Sequence, residues 1–231
     1  MESDSAALRT PAEDAAPAGW LGQRLLRPWS SPDGGNPVGS IVPTGFEAYA
    51  RVMHSPDPAS GVTWADVAAA TGRTAHPLME WHRITRPAAR SGRAWDRSRG
   101  EPSEGEPSED ELRAPVSVLR RFTETPEQCW FCSWVGFGGT TERGAEVLLP
   151  GREYFLSYGA ITDATTFENA PNLWWPKDRA WCVATEIDLL ATYVGGSRDC
   201  IQALLDAEAL EVFSVSVEDR VDADADTINS E

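Results

Sequence analysis

Residues 171–197 read PNLWWPKDRAWCVATEIDLLATYVGGS, which puts three tryptophans, a Glu/Asp pair and a double glycine into one short run. From Ala180 to Leu189 the run is apolar and β-branched, as a strand requires. Gly195-Gly196 reads as a turn, and Ser197 as the N-cap of a helix carrying Ile201, Leu204 and Leu205 on one stripe. Side chains alternate across a strand, so Trp181, Val183, Thr185 and Ile187 are expected to face the core, with Cys182, Ala184, Glu186 and Asp188 opposite. Glu186 and Asp188 would then stand about 7 Å apart on one face. Trp174, Trp175 and Arg179 arrive on the preceding loop and complete a candidate binding site of aromatic walls around a charged floor. Such a pair of acids can hold a cation, act as acid and base, or grip an arginine. The plainer alternative is that Arg179 or Arg198 pairs with the acids while the tryptophans cover a sheet edge.

Upstream of this run, Cys129 to Phe137 is apolar and aromatic on both faces, which suits a central strand ended by Gly136, Gly138 and Gly139. Glu146–Leu149 and Glu153–Tyr158 flank Pro150-Gly151-Arg152 and predict a hairpin. Nearer the N-terminus, Gly39 to Pro43 reads as a short extended entry. Thr44-Gly45-Phe46-Glu47 has the pattern of a capping box and predicts a helix through about Met53, with Phe46, Tyr49, Ala50 and Met53 on one face. Thr63-Trp64-Ala65-Asp66 repeats that logic for a second helix, closed by Gly72. Leu112 to Phe122 can form a third, beginning near Pro115. The expected fold class is α+β, with N-terminal helices, a central antiparallel sheet and a closing C-terminal helix.

Three segments offer little to bury. Residues 1–18 are rich in Ala, Pro and acid and are expected to be disordered. An arginine-rich block followed by GEPSEGEPSEDE predicts a flexible charged loop at about 88–110, interrupting a single domain at 19–218. Residues 219–231 form an acidic tail.

Several chemistries have fragments of a signature. Cys129-Trp130-Phe131-Cys132 has zinc or redox spacing, but in a strand residues three apart point to opposite faces, and no second pair recurs. In HPLMEWH, His76 and His82 lack the i, i+4 pairing that puts two imidazoles on one helix face, and His54 and His76, before Ser55-Pro56 and Pro77, read as residues at helix ends. Asp222, Asp224 and Asp226 alternate as at the start of a calcium loop, without its glycine or its closing acid. No nucleophile elbow or phosphate loop is present. The expectation is therefore no catalytic residues, no metal and no cofactor.

Composition sets the partners. Twenty basic residues against 36 acidic ones give a net charge of -16 in 231 residues, which repels nucleic acid and anionic membrane and favours basic partners. Lys177 is the only lysine, a bias that suits a GC-rich bacterial genome. The acidic opening MESDSAALRT has no apolar run, so a cytoplasmic location with reduced thiols is expected.

VPTGFEAYARVMH, HPLMEW, CWFCSWVGFG, LPGREYFLSYG and the opening run together resemble an uncharacterised family of cytoplasmic actinobacterial proteins, over about residues 38–228. The order of helices, sheet, Gly-Gly-Ser and helix is also similar to bacterial immunity-type α+β modules, which neutralise toxins. Two functions follow as expectations. One is a non-enzymatic binding module whose acidic surface engages a basic protein, marked by exposed acids around Glu186 and Asp188 without a deep pocket. The other is an enzyme or small-molecule binder, marked by a concave, tryptophan-lined pocket and a raised pKa on one of the two acids.

Overall fold

Nine strands pair into one antiparallel sheet, and both of its faces are covered. The structure is a computed structural model that describes residues 9–27, 35–88, 93–137 and 142–230. The strands are β1 (Thr10–Pro11), β2 (Ala48–Met53), β3 (Cys129–Trp134), β4 (Ala145–Leu149), β5 (Arg152–Gly159), β6 (Leu173–Pro176), β7 (Cys182–Thr185), β8 (Ala191–Gly196) and β9 (Val212–Val215). The helices are α1 (Trp64–Thr71), α2 (Trp81–Ile84), α3 (Glu109–Leu119) and α4 (Arg198–Leu205). Sheet order is β1-β5-β3-β6-β7-β8-β2-β9, with β4 also pairing β5. The fold is mixed α/β and dominated by the sheet. Among the described residues no helix is long and apolar enough to cross a membrane.

Alternation along each strand builds two cores. On the first face Tyr49, Cys132, Tyr154, Trp175, Cys182 and Tyr193 pack under α1, α2 and the segments around Trp20 and Val42. On the second, Val52, Cys129, Phe131, Trp174, Val183 and Val194 pack under α3, α4 and the 3-10 turn Ile161–Thr166. Cys129 and Cys132 accordingly belong to different cores, as strand geometry requires. Burial pushes the Cys129 thiol up to about 12, which leaves it an inert apolar side chain.

Some expected elements hold and others are replaced. Thr63 and Asp66 form the reciprocal capping box of α1, and Gly72 ends that helix with φ +76°. Ser197 accepts the Cys200 amide at the start of α4. The helix expected after Thr44 is instead β2, because Gly45 takes φ +94° and the following residues alternate between two covered faces. With both faces apolar, the period of 2 was masked by a run that also fits one helix face. Glu47 accepts the backbone N–H of Arg198 and so serves α4 rather than its own segment. Gly195-Gly196 is the end of β8, not a turn: a Cβ on Gly195 would lie 2.5 Å from the Phe46 ring, so the glycine permits a close approach inside the sheet. The chain does not close on a helix, since β9 follows α4 and pairs with β2.

The three segments expected to have little to bury all have residues in contact with the rest. Thr10–Pro11 pairs with β5 and Ala12 is buried, while residues 1–8 lie outside the described residues. In 101–107 the acids point outward while Pro102, Gly105 and Pro107 are buried. Gly105 donates to Leu189 O at 2.8 Å, and with φ +64° and Ile187 Cα 2.4 Å from an added Cβ it admits no larger residue. Residues 89–92 and Gly138-Gly139 also lie outside the described residues. The third helix starts earlier than expected, because Ser108 and Glu111 form a capping box and Pro115 is carried inside α3. In the tail, Asp226 is 1% exposed. It accepts Asn229 N, Asn229 Nδ2 and Glu80 N, and His76 Nε2–H donates to it at 2.8 Å. Burial opposes its charge, but those donors more than offset it and hold the carboxyl below its ordinary range.

Candidate functional site

The five residues expected to form a site are not brought together. Trp174 and Trp175 are consecutive in β6, not on a loop, and point into opposite cores. β7 ends at Thr185, so Glu186 and Asp188 sit in the turn before β8 instead of side by side on a strand. Arg179, with φ +56°, places its guanidinium 5.3 Å from the Trp20 ring centroid. The arginine that meets the acids is Arg152 of β5. Its Nη2 donates to Glu186 Oε1 at 2.7 Å and to Asp188 Oδ2 at 3.2 Å, and its Nε to Glu186 at 3.2 Å. Burial raises the Glu186 carboxyl, and the Arg152 hydrogen bonds and charge pull it back. The hollow beside Glu186 has a volume of about 20 Å³, room for about one water. Sequence alone could not select Arg152, 34 residues upstream of Glu186, because only the β5–β3–β6–β7 order brings it there.

A larger cavity of about 350 Å³ opens elsewhere, on the second face. Its inner wall is Val52, Trp174, Val183 and Thr192 of the sheet; Leu112 and Pro115 of α3 and Leu210 form its sides. The stretch from His54 to Thr63 borders it from the end of β2. Asp110, Glu111, Glu208 and Glu211 complete it, and among the described residues no lysine or arginine lines it.

Polar groups of the wall are fixed by identifiable bonds. His54 is 2% exposed. Its Nδ1 lies 2.8 Å from Ser103 O, an acceptor only, so Nδ1 carries the proton. Nε2 then accepts from Thr192 Oγ1 at 3.0 Å, and Thr192 Oγ1 in turn accepts from Thr185 at 2.8 Å. Burial lowers the His54 pKa, with Ser103 O and Glu111 opposing, so the imidazole is neutral and its chain of donors is settled. Glu211 accepts the Trp64 and Ala65 amides at 2.6 and 2.8 Å, fixing the start of α1. Burial raises the Glu211 carboxyl and those two amides oppose the rise. Glu111 accepts the Ser55 amide at 2.7 Å while its other oxygen completes the α3 cap. Both carboxylates therefore hold the rim segments in place.

Trp174 is different. It is fully buried and packs edge-on to Trp181 at 5.1 Å between centroids, yet its indole Nε1–H has no acceptor among the described residues. Trp20 and Trp81 share that condition, but neither lines this cavity. A buried donor without a partner costs about 1–3 kcal/mol.

Of the expected site, only Trp174 reaches the cavity. Sequence reasoning missed His54, Thr192, Asp110, Glu111, Glu208 and Glu211. The S-x-x-E pattern at Ser108–Glu111 was the available signal, since it places α3 and with it the acidic edge. Among the described residues no group of three or more His, Cys, Asp or Glu side chains is arranged to hold a metal.

Comparison with protein-family models, curated proteins and solved structures finds no match.

Proposed function

We propose that the protein is a non-enzymatic binder of a small organic molecule, held in the cavity between the second sheet face and α3. The observation that carries this reading is the cavity: about 350 Å³, lined mainly by apolar side chains and bordered by a few placed polar groups. Ligand pockets have that size and make-up. Binding is preferred to catalysis because both nitrogens of His54 are already bonded within the protein, which leaves the one imidazole of the cavity without a free base. The supporting experiment is a thermal-shift screen of a soluble small-molecule library against wild type and Ala114→Leu, which fills the cavity from α3. Ligands at a hundred times their Kd stabilise by about 2.7 kcal/mol. Compounds that raise the Tm of wild type and leave Ala114→Leu unmoved are the expected result; compounds that act equally on both would contradict it.

A second reading keeps the expected basic protein partner of an immunity-like module in a cytoplasmic setting. It is favoured by the net charge of -16 and by the exposure of Asp110 and Glu208 at the cavity. Its mark is a basic protein captured by wild type at low salt and released by Asp110→Asn with Glu208→Gln.

A further inference from the structure

We infer that Arg24 and Arg179, held over the Trp20 indole, form a recognition site for a small multivalent oxyanion whose anionic groups are carboxylate or phosphoryl. The site belongs to the first face and is independent of the cavity beside α3. Trp20 is 7% exposed and is wedged edge-on against Trp175 at 5.9 Å and Phe46 at 6.4 Å, so its ring is a fixed platform. The Arg24 guanidinium carbon lies 5.5 Å from the ring centroid and that of Arg179 5.3 Å, both within cation–π range. Both arginines are exposed, and among the described residues neither makes an ion pair. The neighbouring acid is used elsewhere. Asp178 Oδ2 accepts Thr123 Oγ1 at 2.8 Å and Glu124 N at 2.7 Å, and its Oδ1 accepts Ala180 N at 3.1 Å. Lys177, on the same turn, donates to the neutral amide oxygen of Gln128 at 2.9 Å rather than to a carboxylate. Two guanidinium forks over one ring, with no carboxylate between them, match an ion that brings several anionic oxygens.

The second feature is the backbone of Arg179. Among the described residues it is the one non-glycine with a positive φ, +56°. Its N–H donates to Pro176 O at 2.8 Å and closes the turn between β6 and β7, a left-handed position that ordinarily goes to glycine because a Cβ is strained there. The turn is completed by Asp178, whose N–H donates to Thr125 Oγ1 at 3.2 Å, and needs no arginine side chain. An exposed cation–π contact returns no more than the left-handed backbone costs, so packing on Trp20 is no reason to prefer arginine over glycine. A guanidinium that meets an outside anion is such a reason. The net charge of -16 opposes an approaching anion, but charges beyond about 8 Å are largely screened at physiological ionic strength, so the anion is held by direct contact.

Calorimetric titration with pyrophosphate and with citrate, in a chloride background of constant ionic strength, tests this. Saturable binding of at least one is expected, with a Kd on the order of 1 mM or below. Tighter pyrophosphate assigns the site to phosphoryl groups, and tighter citrate to carboxylates. Arg179→Gly and Arg24→Gln are each expected to weaken binding about tenfold or more, and Arg179→Lys, which keeps the charge without the fork, to bind more weakly than wild type. Arg179→Gly also relaxes the turn, so its Tm is expected to lie no more than about 3 °C below that of wild type. Absence of saturable binding of both anions at millimolar concentration, or unchanged binding in Arg179→Gly or Arg24→Gln, overturns the inference. A larger fall in the Tm of Arg179→Gly overturns it too, because the side chain would then be serving to hold Trp20.

Discussion

Trp174 and Trp175 are neighbours in one strand and equally buried, but the two faces they enter are finished differently. Trp175 meets Trp20 edge-on at 5.9 Å, and two acids on its face are held by arginines, Glu80 by Arg51 and Glu186 by Arg152. Trp174 enters a face whose helix layer leaves about 350 Å³ open, with acids at the edge and, among the described residues, no basic side chain beside them. The core around Trp175 is close-packed; the first face opens only at its border, in a polar hollow of about 490 Å³ beside Arg51, Glu80 and Trp81, whereas the hollow on the second face is lined mainly by apolar side chains.

The largest effect should come from truncating the closed face. Trp175→Ala is expected to cost about 3–5 kcal/mol in urea unfolding, because a fully packed indole leaves a void that its neighbours cannot collapse into. Trp174→Phe removes an N–H with no partner and some ring volume beside an existing cavity, and about 1–2 kcal/mol is expected. Equal losses would erase the difference between the faces.

The ion pairs sharpen the same contrast. Arg152→Ala strands Glu186, which is 6% exposed, and is expected to cost about 3–5 kcal/mol. Asp188→Asn, at the exposed arm of the same arginine, should cost less than about 1 kcal/mol. Adding volume separates the faces once more. Ala191→Leu, into the closed core, is expected to cost about 1–3 kcal/mol, whereas Ala114→Leu, into the cavity, should be tolerated within about 1 kcal/mol.

A pH dependence tests the pairing of Glu80 with Arg51 in another way. Burial raises the Glu80 carboxyl to about 7, against the pull of Arg51 and with Asp226 and Asp222 adding to the rise. The folded state thus favours protonated Glu80. Its contribution is fully present below about pH 4.5 and is lost as pH rises through about 7. Glu80→Gln mimics the protonated form and keeps an oxygen for Arg51, so its stability relative to wild type should rise between those pH values. A flat difference in denaturant midpoints across that range would contradict the assignment.

Much of the local structure was legible. Caps announced α1 and α4, a Pro-Gly turn announced the β4–β5 hairpin, and strand parity separated Cys129 from Cys132. β2 was not legible, since a strand covered on both faces has no polar alternation and its AYARVM run also fits a helix. The GEPSE segment misled by composition: its acids face solvent, but its Pro and Gly backbone is what docks, and the carbonyl of Ser103 holds His54. The candidate site was legible only at Trp174. Its other walls come from β2, α3, β8 and the approach to β9, and nothing in one short run of sequence can show which distant elements enclose a space.

The unequal faces are tested most directly by a crystal structure under xenon pressure, since apolar cavities take up xenon and close-packed cores do not. The account predicts xenon on the α3 side of that space, against Leu112, Pro115 and Leu210, and none against Trp175. Xenon absent from the Trp174 side, with protein atoms filling that space, would contradict it.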